Sequence, residues 1–241
     1  MVSQKNMLIQ KEFSKYANCY DQFNIIQKKV AKELLSKIPH KNYSLVVDLG
    51  SGNGTIYKGI DNQFTFDDFF ALDNSKEMLS LHPDDKKVTK LNYDFNTQIL
   101  SDINIQTIDL LISSSSLQWC NDLDYTIGNI VSNSQSIALA IFTNNTFKSL
   151  HKTASIKSPI TSKEYIFNSL SKQKKVFDIE IKEYKLYFES KQDIFKYIKQ
   201  SGVSGGDRRL SYKQTKKLIE DYPYNFLEFE VVFATYFDKR H

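Results

Sequence analysis

Short apolar runs alternating with helix-length segments, a glycine-rich turn straight after the first run, and acids at the ends of the next two runs predict an α/β fold. The expected architecture is a doubly wound, mostly parallel sheet with its ligand crevice at the strand C-termini. Residues 43–49 form the first run. It carries paired valines, is too short for a helix, and leads into Asp48-Leu49-Gly50-Ser51-Gly52-Asn53-Gly54. Glycines at alternate positions let the chain turn sharply, bring N–H groups close to a ligand, and open the helix predicted over 55–60. Such clusters also mark ordinary strand-to-helix turns. The next two runs distinguish this one. Run 69–72 ends at Asp73, 19 positions past Gly54, where a doubly wound fold places the carboxylate that receives ribose hydroxyls. Run 88–93 ends in Asp94 and Phe95, an acid and an aromatic suited to an adenine's exocyclic amine and ring face. A fourth run, 108–112, stops at Ser113. The pattern reads as nucleoside binding. Asp48 narrows it, because a carboxylate before the first glycine repels a pyrophosphate and suits a cationic amino-acid ammonium. A plain loop or cap carboxylate is the alternative.

The remaining elements follow from periodicity. Phe13, Tyr16, Ala17, Tyr20, Phe23 and Ile26/Gln27, then Val30, Leu34, Leu35 and Ile38, recur at helical spacing and predict one or two amphipathic N-terminal helices. Residues 121–131 read as a helix and 137–142 as a fifth buried strand. Between run 108–112 and that helix lies Ser113-Ser114-Ser115-Ser116-Leu117-Gln118-Trp119-Cys120 with the only tryptophan, a core residue or one facing the crevice. Residues 143–177 are polar with helix-length segments. Residues 179–190 alternate as a strand, 192–200 form a helix closed by Ser201-Gly202, and a loop over 202–209 leads to a basic helix over 211–222. Residues 226–237 supply a last, antiparallel strand. No internal repeat is found.

No Pro/Gly/Ser-rich linker divides the 241 residues, so one domain is expected. Hydrophobic residues make up 41%, including 17 Phe and 14 Tyr, enough for a sizeable core. No apolar run has transmembrane length, and the polar start does not read as a signal peptide. Two distant cysteines do not make a disulfide framework, and a reducing, cytoplasmic setting is expected. A net charge of +4 does not suggest nucleic acid, and no metal is expected. The basic residues are nonetheless uneven: Lys172, Lys174 and Lys175 cluster, as do Arg208, Arg209, Lys213, Lys216 and Lys217. They are solvated faces or a basic surface for an acidic partner.

The D-L-G-S-G-N-G stretch resembles the first motif of class I S-adenosylmethionine-dependent methyltransferases. Ala71-Leu72-Asp73-Asn74-Ser75 with Met78-Leu79 resembles their second. The F-x-x-x-A-x-x-Y start at 13–20 resembles several small-molecule members, in which the N-terminal helix folds over the cofactor and the tyrosine approaches the methyl. The helix ending at Ile38-Pro39, L-Q-W-C at 117–120, K-x-x-G at 199–202 and the R-x-L at 208–210 followed by Leu218 extend the resemblance over nearly the whole chain. They point to the malonyl-[acyl-carrier protein] O-methyltransferase family. Ser51 and Asn53 stand where that family more often has cysteine and proline, Ser114 where it often has asparagine, and the loop after Gly202 is short.

The resemblance implies a Rossmann-like class I methyltransferase with a seven-stranded, mostly parallel sheet and an antiparallel last strand. Residues 1–40 would be a helical lid, 43–142 the cofactor half, 143–178 a cap insertion, and 179–241 the C-terminal strands and basic helix. S-adenosylmethionine would be held by Asp48, Gly50, Gly52, Gly54, Asp73, Asn74, Met78, Asp94, Phe95 and Ser113. Tyr20 and Trp119 would position the reactants; Lys15, Gln118, Lys199, Arg208 and Arg209 would serve the substrate. The implied reaction is methyl transfer to the free carboxylate of malonyl-acyl carrier protein, the start of biotin's pimeloyl chain. A carboxylate is already ionised near neutral pH, so no general base is expected. Catalysis would come from in-line placement at roughly 3–3.5 Å in a pocket that excludes water. Acyl carrier proteins are acidic, and the C-terminal basic cluster is the expected docking surface, with no nucleic-acid or membrane partner. Other readings are a methyltransferase for another small acid or a quinone-type substrate, and a non-catalytic partner that keeps the fold. A C-methylating enzyme would need a base, for which His151 is the histidine in the cap. A lapsed site need not retain Asp48, Asp73 and Asp94.

Overall fold

The computed structural model describes residues 14, 23–103, 107–200 and 210–238. The elements are α1 (Ile25–Ser36), β1 (Asn42–Leu49), α2 (Thr55–Lys58), β2 (Thr65–Asp73), α3 (Lys76–Ser80), β3 (Val88–Asn92), β4 (Ile108–Ser114), α4 (Leu123–Asn133), β5 (Ser134–Phe142), α5 (Lys148–Thr153), α6 (Lys163–Ser171), β6 (Asp178–Tyr187), α7 (Lys191–Gln200), α8 (Tyr212–Asp221) and β7 (Phe226–Tyr236). Single 3-10 turns span Leu100–Ile103 and Leu117–Trp119.

The seven strands form one sheet in the order β3-β2-β1-β4-β5-β7-β6. Pairing is parallel from β3 to β5, and β7 runs antiparallel to both β5 and β6. The expected seven strands and antiparallel last strand are therefore present. The order reverses between β1 and β4, where no connection crosses above the strand ends and a crevice is left. β1, β4 and β5 are central and buried on both sides, which is why they read as continuous apolar runs. One apolar layer packs Val30, Leu34, Leu35, Ile194 and Leu218 against one face of the sheet. The other packs Leu123, Ile127, Ile130, Ile166 and Leu170 against the opposite face.

Boundaries shift for local reasons. β2 begins at Thr65, ahead of the apolar run 69–72, because Asn42 and Tyr43 pair there with Thr65 and Phe66. α2 stops at Lys58, where Gly59 caps it, rather than at residue 60. α4 starts two residues late because the Asp122 side chain accepts the Tyr125 N–H and so occupies the N-cap. β6 is an edge strand with Ile179 and Ile181 about 40% exposed. Its charges blunt that edge, with Lys182 bonded to Glu33 and Glu180 to Lys37, which ties it to α1. Beyond β5, Glu230 of β7 is buried and its carboxylate accepts from Thr143 Oγ1 at 2.5 Å, Asn145 Nδ2 at 2.9 Å and Lys163 Nζ at 3.4 Å. Segment 143–163 is thus held against the sheet at the C-terminal end of β5. The N-terminal motif at 13–20, apart from Ser14, and the loop over 202–209 lie outside the described residues.

Candidate active site

A cleft opens at the C-terminal ends of β1, β2 and β4, with α1 along one side. Asp48, Gly50, Gly52, Asp73, Asn74, Met78, Phe95 and Trp119 are among the residues that line it.

Asp48 is the electrostatic centre. It is 1% exposed, and neither carboxylate oxygen has a hydrogen-bond partner among the described residues. Burial pushes its pKa well above the ordinary carboxylate range, and the nearby Asp73 carboxylate pushes it further. A buried, unpaired carboxylate is costly unless a cation or donors meet it. Asp73 lies at the tip of β2. Its Oδ1 accepts the Ser75 N–H at 2.8 Å and its Oδ2 accepts the Gly52 N–H at 2.9 Å. Those hydrogen bonds oppose, without cancelling, the rise in pKa caused by burial. Two carboxylates in one cleft favour a ligand with a positive group.

The glycine turn does different work from that expected. Gly50 and Ser51 donate their N–H groups to the Leu72 carbonyl at 2.8 and 3.0 Å, Gly52 donates to Asp73, and Gly54 donates to the Ser51 carbonyl at 3.0 Å. These four groups are spent inside the fold and do not cradle a ligand phosphate. The turn clamps the tip of β1 to the tip of β2, and with Asp48 beneath it the loop disfavours an anion. Gly50 is needed for close approach and for a φ of +77°: an added Cβ would sit 2.3 Å from the Cβ of Ser116. Gly54 backs onto His82 and Pro83 rather than the cleft.

Other expectations need correcting. Ser113 is fully buried, and its hydroxyl donates to the Leu49 carbonyl at 2.7 Å; Ser114, Ser115 and Ser116 line the cleft in its place. The Ser113 side chain is turned back onto the end of β1 and is not among the residues that line the cleft. Asp94 is turned into its own loop, where its Oδ1 accepts the Asn96 N–H at 2.9 Å and Asn96 Nδ2 at 3.1 Å. Asn96, with Phe95, lines the cleft instead. Gln118 is buried outside the lining, donating to the Ser115 carbonyl at 2.7 Å. Lys199 is exposed on α7 and does not line the cleft. Lys15, Tyr20, Arg208 and Arg209 lie outside the described residues. Sequence reasoning missed Gln27 and Ala31 of α1, Ser51, Asn53 and Asn96. Gln27 left one signal, a polar residue in an otherwise apolar helical stripe.

No family model matches the chain. A malonyl-[acyl-carrier protein] O-methyltransferase from Bacillus cytotoxicus is 26% identical over 257 residues, covering 95% of this chain and 88% of that one. Among solved structures, the YcgJ protein of Bacillus subtilis matches with a TM-score of 0.61 at 11% identity, covering 86% of this chain and 98% of that one. Haemonchus contortus phosphoethanolamine N-methyltransferase 2, solved with S-adenosyl-L-methionine, matches at 0.54 with 15% identity, covering 87% of this chain and 52% of that one. The fold is that of the class I methyltransferases. By sequence, the chain resembles the malonyl-[acyl-carrier protein] O-methyltransferases over nearly its full length. The crevice at the β1/β4 switch point is where open sheets of this kind take their ligands, and Asp48 lines it. The residues fit a cationic nucleoside: unpaired Asp48 for an ammonium, Asp73 for hydroxyls, and Met78 and Phe95 for an apolar ring. Among the described residues no cluster of acidic, His or Cys side chains is arranged to hold a metal ion, and no helix is long and apolar enough to cross a membrane.

Asp73→Ala is expected to weaken S-adenosylmethionine binding by about 10- to 100-fold, the loss of charge-assisted hydrogen bonds to two hydroxyls. It also releases the Gly52 and Ser75 N–H groups. Unchanged affinity by calorimetric titration would refute the ribose role.

Proposed function

We propose that the chain is an S-adenosylmethionine-dependent O-methyltransferase that esterifies the free carboxylate of a malonyl thioester on acyl carrier protein, the product priming pimeloyl synthesis. The observation that carries the cofactor reading is the pair of unpartnered Asp48 oxygens in the cleft at the switch point. The similarity to malonyl-[acyl-carrier protein] O-methyltransferases supports the choice of acceptor.

When bound, S-adenosylmethionine supplies an electrophilic methyl on a sulfonium. Asp48 holds the amino-acid ammonium, Asp73 accepts the ribose hydroxyls, and Phe95, Asn96 and Met78 take the adenine. Trp119, 6% exposed and lining the cleft, walls off water where the acceptor enters. The acceptor carboxylate arrives ionised, so the residues need only orient it. Lys15, Lys199, Arg208 and Arg209 are the proposed cations for substrate and carrier, Tyr20 a second aromatic at the methyl, and residues 1–40 and 143–178 the lid and cap. The exposed Lys213, Lys216 and Lys217 of α8 offer positive charge to the acidic carrier.

The test is incubation of the purified protein with malonyl-acyl carrier protein and methyl-labelled S-adenosylmethionine, read by mass spectrometry. A carrier heavier by one labelled methyl, lost on mild base hydrolysis, is the expected result. Labelling of another small acid but not of the malonyl carrier would overturn the acceptor. No binding of S-adenosylmethionine would overturn the enzyme.

A further inference from the structure

Gln27 stands where a helix of this kind would ordinarily place an apolar residue. α1 buries Ile26, Val30, Ala31, Leu34 and Leu35 against the sheet, and Gln27 lies on that buried side, only 7% exposed. One turn before Ala31, it lines the same cleft as Asp48. Buried side-chain amides are normally hydrogen-bonded, yet Oε1 of Gln27 has no partner among the described residues. The cleft thus holds acceptors without donors on two different elements: a carboxylate at the end of β1 and a carboxamide oxygen on the first turn of α1. An ammonium carries three N–H donors and no acceptor, so it can satisfy both. A bare metal ion would not select an apolar-flanked amide over the acids present, and an anion placed between these two groups would meet two acceptor oxygens.

From this convergence we infer that Gln27 Oε1 accepts a hydrogen bond from the α-ammonium of the bound cofactor beside Asp48, so that Gln27 is a specificity-determining residue for the amino-acid end of the ligand. The inference rests on the cofactor reading above and extends it to α1. It gives that helix a second role: besides closing the core, it senses whether the ligand carries an amino-acid tail. Because the amide oxygen has no partner among the described residues, its function and its contribution to folding separate. Removing it should cost binding and not stability.

The experiment is calorimetric titration of wild type and Gln27→Leu with two ligands that share the nucleoside and sulfur: S-adenosylhomocysteine, which has the amino-acid tail, and 5′-methylthioadenosine, which lacks it. The latter is measured by competition where direct heats are small. We expect Gln27→Leu to weaken S-adenosylhomocysteine about 10-fold or more, to leave 5′-methylthioadenosine within about twofold, and to keep the Tm of the free protein at or above wild type. Equal losses for both ligands would mean that the side chain only shapes the cleft, and unchanged homocysteine-ligand affinity would mean that it makes no contact; either overturns the inference. Should the leucine variant fail to fold, Gln27→Met, which keeps the length of the side chain, is read by the same two ratios. A wild-type protein that binds neither ligand removes the cofactor reading, and this inference with it.

Discussion

Asp48→Asn lowers the affinity for S-adenosylmethionine at neutral pH by about 100-fold or more, while the free protein becomes more stable. The first effect is the loss of a buried charge pair, for which truncation of one partner costs about 2–5 kcal/mol. The second follows from linkage. The folded-state pKa of Asp48 is raised above its ordinary value by burial and by Asp73, so the folded chain binds that proton more tightly than the unfolded chain. The associated stability is fully present below the ordinary carboxylate pKa and is lost as pH rises through the raised folded value. Toward neutral pH the free wild-type protein is therefore losing it, and the uncharged asparagine avoids the loss. Each kcal/mol regained is worth about 2–4 °C in Tm for a chain of this size. Thermal melts of both proteins across an acid-to-neutral series check this: the two should converge at low pH and separate, asparagine above wild type, as pH rises. Saturating S-adenosylmethionine should reverse the order. Wild-type affinity should also fall as acid protonates Asp48, whereas the asparagine variant should be nearly flat. Parallel melting curves at every pH would show that Asp48 is already compensated within the fold.

Gly50→Ala is the second large effect, and it acts on folding before binding. At φ +77° an L-residue is strained, and the new Cβ would lie 2.3 Å from Ser116 Cβ and 2.5 Å from its Oγ. Ser116 cannot simply rotate away, because its Cβ is fixed by the backbone and its hydroxyl donates to the Leu49 carbonyl at 3.0 Å, with the Ser113 hydroxyl at 2.7 Å. Relief requires the tips of β1 and β4 to separate, which also moves Asp48. A loss of about 3 kcal/mol or more is expected, read as a lower urea midpoint, together with loss of cofactor binding. Gly52→Ala is the internal control: its added Cβ would meet only the flexible Met78 Cε, at 3.3 Å, so its stability loss should be clearly smaller. Equal midpoints for the two variants would refute the steric account.

Much of the site was legible because its signals are local. The turn after β1 is dictated by glycines that only certain backbone angles explain, and Asp48 and Asp73 sit at fixed offsets from strand ends that period and composition mark out. Asp94 and Ser113 show where that reasoning stops. Each closes an apolar run as a site residue would, yet Asp94 is consumed by Asn96, and Ser113 by Leu49, 64 positions away. Gln27 shows the converse, a residue in a helical stripe whose place in the cleft depends on how α1 lies against the sheet.

From the sequence alone came the alternation of strands and helices, the antiparallel closing strand and the placement of carboxylates at the first two strand tips, because backbone propensity and side-chain period act over a few residues. The tertiary structure alone decided which donors and acceptors remain unpaired at the crevice. Hydrogen-bond partners are shared out among segments far apart in the chain, and a polar group is available to a ligand only when no distant segment has already taken it.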